Sequence, residues 1–162
     1  MSKRRNNLLS WILIVFVLLL VGAAAFFILK PQLRQHTALR LGDGVYQTWV
    51  SKTSAEREKG LSGTNKLHDD QAMLFVFGSD DKWSIWMKDM KYPIDIVWLN
   101  KDKKVVYIVK NAPPESYPYE TFTPKEDARY VVELPAGTTD KKKVEIGKEA
   151  AFDENHLEGW KL

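Results

Sequence analysis

An uninterrupted apolar run near the N-terminus constrains this chain more than any other feature. Residues 8–29 contain no charged side chain. A helix of that length, rising 1.5 Å per residue, crosses about 30 Å of hydrocarbon. Trp11 stands near the start of the run, where interfacial aromatic residues are typical. The run predicts a transmembrane helix over residues 8–29, and the absence of a polar face disfavours a buried core helix.

The charges beside this run predict how the chain is oriented. Lys3, Arg4 and Arg5 precede the run, and only Lys30 and Arg34 follow it closely. By the positive-inside rule, residues 1–7 lie in the cytoplasm and everything after the span lies outside. We therefore expect a single-pass protein of the cell membrane, with a linker at 30–43, a β-rich domain at 44–153 and a tail at 154–162.

A cleaved signal peptide is the alternative to an anchor. The three alanines at 23–25 offer a small-residue cleavage site after Ala25. Phe26 to Leu29 continue the apolar run beyond that site, which favours the uncleaved signal-anchor. Both the uncleaved anchor and the cleaved signal peptide would place the domain outside the membrane.

The composition of the exported part excludes several functions. The chain has 24 Lys and Arg and 21 Asp and Glu, so without its three N-terminal cations it carries 21 charges of each sign. Nucleic-acid binding needs a cationic surplus, which this domain lacks. The absence of cysteine excludes disulfides, thiolate metal sites and thiol nucleophiles. The three histidines are far apart, and we expect neither a metal nor a cofactor.

Short apolar and alternating segments separated by turn residues dominate the domain. Val45–Val50 alternates as a half-buried strand does, and Met73–Phe77 is typical of a strand buried on both faces. Thr53 to Glu56 form a capping box that starts a short helix at Ser54–Lys59. The pattern predicts a mainly β domain: a compact jelly-roll-like sandwich or distorted barrel of about seven short strands, with one or two short helices.

Several segments resemble a known family. They are Glu56-Arg-Glu-Lys-Gly-Leu61, Met73-Leu-Phe-Val-Phe77, Trp86-Met-Lys-Asp-Met90, Pro93-Ile-Asp-Ile-Val-Trp98, Pro113-Pro114 with Tyr117, and Arg129-Tyr-Val-Val-Glu-Leu-Pro-Ala-Gly137. In this order they resemble the domain of unknown function 192, also called uncharacterised protein family 0127. The resemblance covers roughly Val45 to Phe152 and implies a compact β-rich fold. The family has no established activity, so no catalytic residue is carried over.

The most informative stretch is a predicted hairpin. Strands at Trp83–Met87 and Ile94–Leu99, joined by a turn near Met90 and Lys91, would place Lys88 opposite Asp95. Lys88 and Asp95, joined by Glu133, would then form a polar cluster on an aromatic platform that includes Trp86, suited to a sugar or peptide. A structural ion pair under the hairpin is the plainer interpretation. A one-residue change of register would reverse every side chain.

A proline-rich segment at Ala112–Pro124, which contains Tyr117, either lines a binding cleft or covers a sheet edge. Together these features predict a non-catalytic binding or interaction module, with Trp86, Lys88, Asp95, Tyr117 and Glu133 as ligand-binding residues. Its expected partner is an envelope glycan, peptide or protein. The alternative is an extracytoplasmic enzyme, for example a hydrolase that uses Asp95 and Glu133.

Overall fold

The computed structural model of the chain describes residues 11–22 and 35–153. Residues 11–22 are helical (α1) and form a unit separate from the domain that begins at Gln35. In the described ranges, no helix is both long enough and apolar enough to span a bilayer. The predicted cytoplasmic segment 1–7, the tail 154–162, Ala25 and the ends of the predicted span at 8–29 lie outside the described residues.

The domain is mainly β, as the sequence predicts. In chain order its elements are β1 (Gln35–Leu41), β2 (Gly44–Ser51), α2 (Ser54–Lys59), β3 (Gln71–Asp81), β4 (Ile94–Leu99), β5 (Val105–Ala112), a 3-10 turn (Pro114–Ser116), β6 (Ala128–Pro135), α3 (Thr138–Lys141) and β7 (Ala151–Phe152). Seven strands and short helices over residues 35–153 agree with the predicted content. Strand β1 occupies half of the segment 30–43 that the sequence predicts to be a linker, and it pairs with β2 across the turn at Gly42 and Asp43.

All seven strands belong to one sheet, in the order β5-β4-β6-β3-β2-β1-β7. Only the β2–β3 pair is parallel. The sheet curls until its edges approach each other, because the segment before β7 pairs with the start of β5. The Val105 amide donates to the Lys148 carbonyl at 2.8 Å, and the Gly147 amide donates to the Val105 carbonyl at 2.8 Å. The result is a half-barrel built from one curled sheet, so the two-sheet sandwich that the sequence allowed is wrong.

Two apolar cores lie on the two faces of this sheet. The inner face of the curl carries Leu39, Tyr46, Leu74, Val97 and Val132 together with further buried residues. The outer face carries Met73, Phe75, Ile96, Trp98 and Val131, and residues 61–67, 85–87 and Ala112 pack over it. Strands β3, β4 and β6 are central and therefore buried on both faces. This arrangement confirms the reading of Met73–Phe77.

The predicted hairpin of Trp83–Met87 with Ile94–Leu99 is wrong. Strand β4 pairs with β5 on one side and β6 on the other. Residues 82–93 instead form an irregular segment whose one bridge joins Ile85 to Phe122. Ile85 and Met87 are buried while Ser84 and Trp86 are exposed, so the apolar residues of this segment pack over the outer face without strand pairing to β4. Strand β4 lies in the interior of the sheet, so both of its edges need hydrogen-bonding partners. The eight-residue strands β5 and β6 provide them.

Candidate functional site

A pocket of about 260 Å³ opens in the cover of the outer face. One wall is α2 with Gly60 to Ser62, and the other is formed by residues 84–90. The floor comes from strands β3 and β6. The residues that line the pocket include Arg57, Lys59, Phe75, Trp86, Lys88 and Glu133.

Helix α2 is held in place by its capping box, as the sequence predicts. The Glu56 amide donates to the Thr53 hydroxyl at 3.2 Å, and the Glu56 carboxylate accepts from the Thr53 amide at 2.9 Å. Gly60 ends the helix with φ +44°, and a Cβ there would lie 3.2 Å from the Phe75 ring. The glycine therefore lets the helix end sit directly on the pocket floor.

Arg57 ties this wall to the sheet. Its guanidinium donates to the carbonyl of Lys52 and, at 3.1 Å, to the carbonyl of Val76. It also lies 4.9 Å from the centroid of the Phe77 ring. Burial lowers the pKa of Arg57, and the neighbouring Glu56 carboxylate partly opposes that shift. Arg57 contributes positive charge to the pocket, and its guanidinium forms hydrogen bonds with groups of the fold itself: the carbonyls of Lys52 and Val76 and the hydroxyl of Ser54.

The opposite wall is fixed by two tryptophans that point into the domain. The Trp83 ring stacks on Phe77 with 4.3 Å between centroids, and the Trp98 indole N–H donates to the Trp83 carbonyl at 2.8 Å. Trp86 differs from both, because 45% of it is exposed at the pocket mouth. A large indole face is thus available to solvent beside the opening.

Backbone and hydroxyl contacts join the two walls at the end of the pocket near Lys88. The Ser62 hydroxyl donates to the Lys88 carbonyl at 2.7 Å, and the Gly63 amide donates to the Asp89 carbonyl at 3.0 Å. Asp89 has φ +55°, so the chain bends sharply after Lys88. The bend holds the backbone of Lys88 at the pocket wall.

Glu133 lies at the floor and is only 4% exposed. It pairs in register with Met73 on β3 and with Ile96 on β4, which places it among the apolar side chains of the outer face. Burial raises the pKa of Tyr92, the hydrogen bond with Thr64 lowers it, and the negative charge of Glu133 raises it further. The Glu133 carboxylate therefore lies close enough to the Tyr92 phenol, beneath the pocket, to affect it electrostatically.

Asp95 does not belong to this site. It pairs with Leu134, one residue from the Ile96–Glu133 pair, so Asp95 and Glu133 face opposite sides of the sheet. Asp95 is fully buried and accepts four hydrogen bonds: from the Asn111 amide (2.9 Å), the Gly137 amide (3.1 Å), the Thr139 amide (2.8 Å) and the Thr139 hydroxyl (2.7 Å). The predicted Lys88–Asp95 contact is therefore wrong, because both carboxylate oxygens serve the fold.

Tyr117 also lies outside the pocket. It is 40% exposed and follows the 3-10 turn of the proline-rich segment. That segment reaches the pocket wall further along, through the Ile85–Phe122 bridge and a 2.7 Å hydrogen bond between the hydroxyls of Ser84 and Thr123. The segment therefore supports residues 84–86 from behind, and Tyr119, 91% exposed, is its most solvent-accessible aromatic.

The structure thus brings together three of the five predicted residues, Trp86, Lys88 and Glu133. Sequence reasoning missed Arg57 and Phe75 as pocket residues, although both stand in the segments that carry the family resemblance. Over residues 11–22 and 35–153, no group of three or more His, Asp or Glu side chains is placed to hold a metal ion.

Two proteins of known sequence are similar to this chain. A UPF0127 protein of Thermococcus sibiricus (strain DSM 12597 / MM 739) is 29% identical over 106 residues, and one of Thermococcus gammatolerans (strain DSM 15229 / JCM 11827 / EJ3) is 30% identical over the same number. Each match covers 64% of this chain. The chain covers 64% and 65%, respectively, of the length of these relatives.

Two crystal structures share the fold. A protein of Sinorhizobium meliloti 1021, described as a proposed transcription regulator, is 27% identical with a TM-score of 0.70, over 74% of this chain and 95% of that one. A protein of unknown function from Novosphingobium aromaticivorans DSM 12444 is 24% identical with a TM-score of 0.66, over 73% and 84%.

The family model called DUF192, described as an uncharacterised ACR, matches residues 37–152. That range contains every strand of the sheet except the first two residues of β1, and it includes all walls of the pocket. The chain therefore belongs to the DUF192 family of uncharacterised proteins.

Proposed function

We propose that this chain is a membrane-anchored binding module, whose β domain holds one small unit of an envelope glycan or peptide in the outer-face pocket. The observation that carries the proposal is the pocket itself. It combines the exposed indole of Trp86 at the mouth with the buried carboxylate of Glu133 at the floor. Apolar walls with a few converging polar groups are typical of small-ligand sites.

The size of the pocket supports a small unit. The volume of the pocket is about 260 Å³. One sugar ring or one amino-acid residue is of that size, whereas drug-sized ligands occupy about 300–1,000 Å³. The domain would therefore recognise one unit of a larger molecule, or one small free molecule.

The anchor and the location are parts of the same proposal. The uncharged run at residues 8–29 and the three cations before it favour a single-pass protein with its domain outside the membrane. On that side the pocket would meet envelope components.

Two other activities have less support. A hydrolase that uses Asp95 and Glu133 together requires both carboxylates beside one substrate, whereas these two lie on opposite faces of the sheet. Transcription regulation, suggested by the description of the Sinorhizobium protein, would need a DNA-binding surface. The balance of 21 basic and 21 acidic residues beyond the N-terminal cations does not supply one.

Tryptophan fluorescence of the full chain in mild detergent tests the proposal. Titration with short peptide and oligosaccharide fragments of the envelope should change the tryptophan emission of the chain. Calorimetry, which does not depend on the fluorophore, should show that Trp86→Ala weakens binding of the active fragment about tenfold. Tyr119→Ala is the matched control, because Tyr119 is exposed outside the pocket. Loss of binding in Tyr119→Ala with none in Trp86→Ala would move the site to the proline-rich segment and refute the proposal.

A further inference from the structure

The pocket carries charges of opposite sign at different depths. Glu133 is 4% exposed at the floor. Lys88 is half-buried in the wall, and Lys59 is exposed at the mouth. Glu58, in the α2 wall, is exposed at the mouth beside Lys59, so solvent screens its charge there. The buried charge of the pocket is thus negative at the floor, and the half-buried charge of Lys88 above it is positive. A ligand that matches this arrangement has a cationic end that enters first and an anionic end that stays near the opening.

Lys88 is the cation best placed for a ligand. The guanidinium of Arg57 is engaged by the carbonyls of Lys52 and Val76 and by the Phe77 ring. Within the described part of the chain, the ammonium of Lys88 makes no hydrogen bond or ion pair, and only its main-chain carbonyl is engaged, by Ser62. A half-buried ammonium ion of this kind is stabilised when an anionic group enters the pocket.

Glu133 can accept a ligand in addition to its contacts in the fold. A carboxylate offers about four acceptor positions. At a site that is almost fully buried, a charged donor forms a stronger hydrogen bond with it than a neutral hydroxyl does. The floor therefore favours an ammonium group over the hydroxyl of a neutral sugar.

We propose that the pocket selects one amino-acid unit that carries both charges, with its ammonium at Glu133, its carboxylate at Lys88 and its apolar stem against Phe75 and Trp86. This inference rests on the proposed binding function and names the ligand chemistry for the same pocket. Two sources share that chemistry: a free amino acid, and a C-terminal residue with a basic side chain at the end of a peptide.

Four small probes separate the charges and the sources. Nα-acetyl-L-lysine carries a side-chain ammonium and a carboxylate, like the last residue of a peptide. Its amide lacks the carboxylate, and Nα-acetyl-L-norleucine lacks the ammonium. L-norleucine carries both charges on one carbon, like a free amino acid. Binding of each to the full chain in mild detergent is measured by calorimetry.

We expect one of the two doubly charged probes to bind at least tenfold more tightly than both singly charged probes. Preference for Nα-acetyl-L-lysine identifies a peptide end, and preference for L-norleucine identifies a free amino acid. Equal binding of singly and doubly charged probes, or no binding of any probe, overturns the inference. The proposed binding function would still stand if a neutral envelope fragment bound in a manner that depends on Trp86.

Two variants assign each charge to its residue. If Nα-acetyl-L-lysine is the preferred probe, Glu133→Gln should remove its advantage over Nα-acetyl-L-norleucine, and Lys88→Met should remove its advantage over its amide. If L-norleucine is preferred, Glu133→Gln should remove its advantage over the same acetyl derivative. Lys110→Met is the matched control, because Lys110 pairs with Asp140 outside the pocket at 2.5 Å. A charge preference that survives in both pocket variants refutes the assignment. If Glu133→Gln lowers the melting temperature, Lys88→Met decides, because that variant should weaken binding of either doubly charged probe about tenfold.

Discussion

Two acidic residues in neighbouring strands of this domain have unrelated surroundings. Asp95 faces the inner side of the curled sheet and accepts four hydrogen bonds from groups of the fold. Glu133 faces the outer side and lies at the floor of the pocket. Because side chains alternate along a strand, one residue of register separates a structural group from a candidate ligand-binding group.

Asparagine at position 95 should unfold the domain more easily. Asp95→Asn keeps the size of the side chain, but its NH₂ group would face a backbone N–H that now donates to Asp95. Removing one member of a buried charged network costs about 3–5 kcal/mol, so we expect a fall in unfolding free energy of about 3 kcal/mol. Urea unfolding measures it.

Asp140→Asn is the control for that loss. Asp140 lies in α3, beside the Asp95 contacts, and its pair with Lys110 is exposed and screened by solvent, so its loss should change stability little. Equal losses of unfolding free energy in the two variants would show that the hydrogen bonds from Asn111, Gly137 and Thr139 to Asp95 do not stabilise the domain.

Tyr46 illustrates a buried group that costs stability. Its ring is 1% exposed on the inner face, and its hydroxyl finds no hydrogen-bond partner in the described residues. Tyr46→Phe removes a buried polar group without a partner. We expect the unfolding free energy at pH 7 to rise by about 1 kcal/mol.

The same substitution should flatten the alkaline limb of the stability curve. Burial raises the pKa of Tyr46 to about 12, from the ordinary value of 10.0. The unfolded state therefore loses this proton first, and stability falls as the pH rises from about 10 to 12. At pH 11 the advantage of Tyr46→Phe should grow by about 1 kcal/mol. Tyr119→Phe, at an exposed position, should show no such change; if it does, the alkaline loss has another origin.

At the scale of elements, α2 shows how a local signal positions part of a site. The helix has six residues, too few to persist alone, and its capping box and the contacts of Arg57 hold it against the sheet. Segment 82–93 shows the opposite case. Its first residues and β4 flank a turn and are predicted to pair as a hairpin, whereas its buried residues pack over the outer face and do not pair with β4.

Removal of the helix cap should weaken both the fold and the pocket. Thr53→Ala deletes the hydroxyl that accepts the Glu56 amide, and we expect a loss of about 1 kcal/mol in unfolding free energy. Because α2 forms one wall, the affinity for the active fragment should fall in the same variant. Thr121→Ala, exposed in the proline-rich segment, is the control. Unchanged affinity in a destabilised Thr53→Ala would separate α2 from ligand binding.

At the scale of the whole molecule, one curled sheet supplies two different faces. The inner face encloses an apolar core, while the outer face is covered by loops between which the pocket opens. Loops pack over a sheet less regularly than a second sheet does, so gaps remain between them. Loops that are held on a rigid sheet are common places for binding sites.

The uncharged run at residues 8–29 should hold the protein in the membrane. We expect the full chain to remain with the membrane fraction after an alkaline carbonate wash. Protease added outside the cell membrane should digest the β domain and spare residues 1–7. Glutamate at positions 3, 4 and 5 should weaken this orientation. A soluble product whose mass corresponds to cleavage after Ala25 would instead identify a signal peptide.

The sequence by itself determined the local features of this protein: the β-rich class, the capped helix at Ser54–Lys59, the strand at Val45–Val50 and the family. These depend on alternation, caps and motifs within a few residues of one another. The tertiary structure decided that β4 pairs with β5 and β6, that Asp95 and Glu133 face apart, and that Arg57 meets Trp86 and Glu133 at one pocket. The β4–β6 pairing joins residues that are 31 to 41 positions apart in the chain, and no local pattern specifies which partner or register has the lowest free energy.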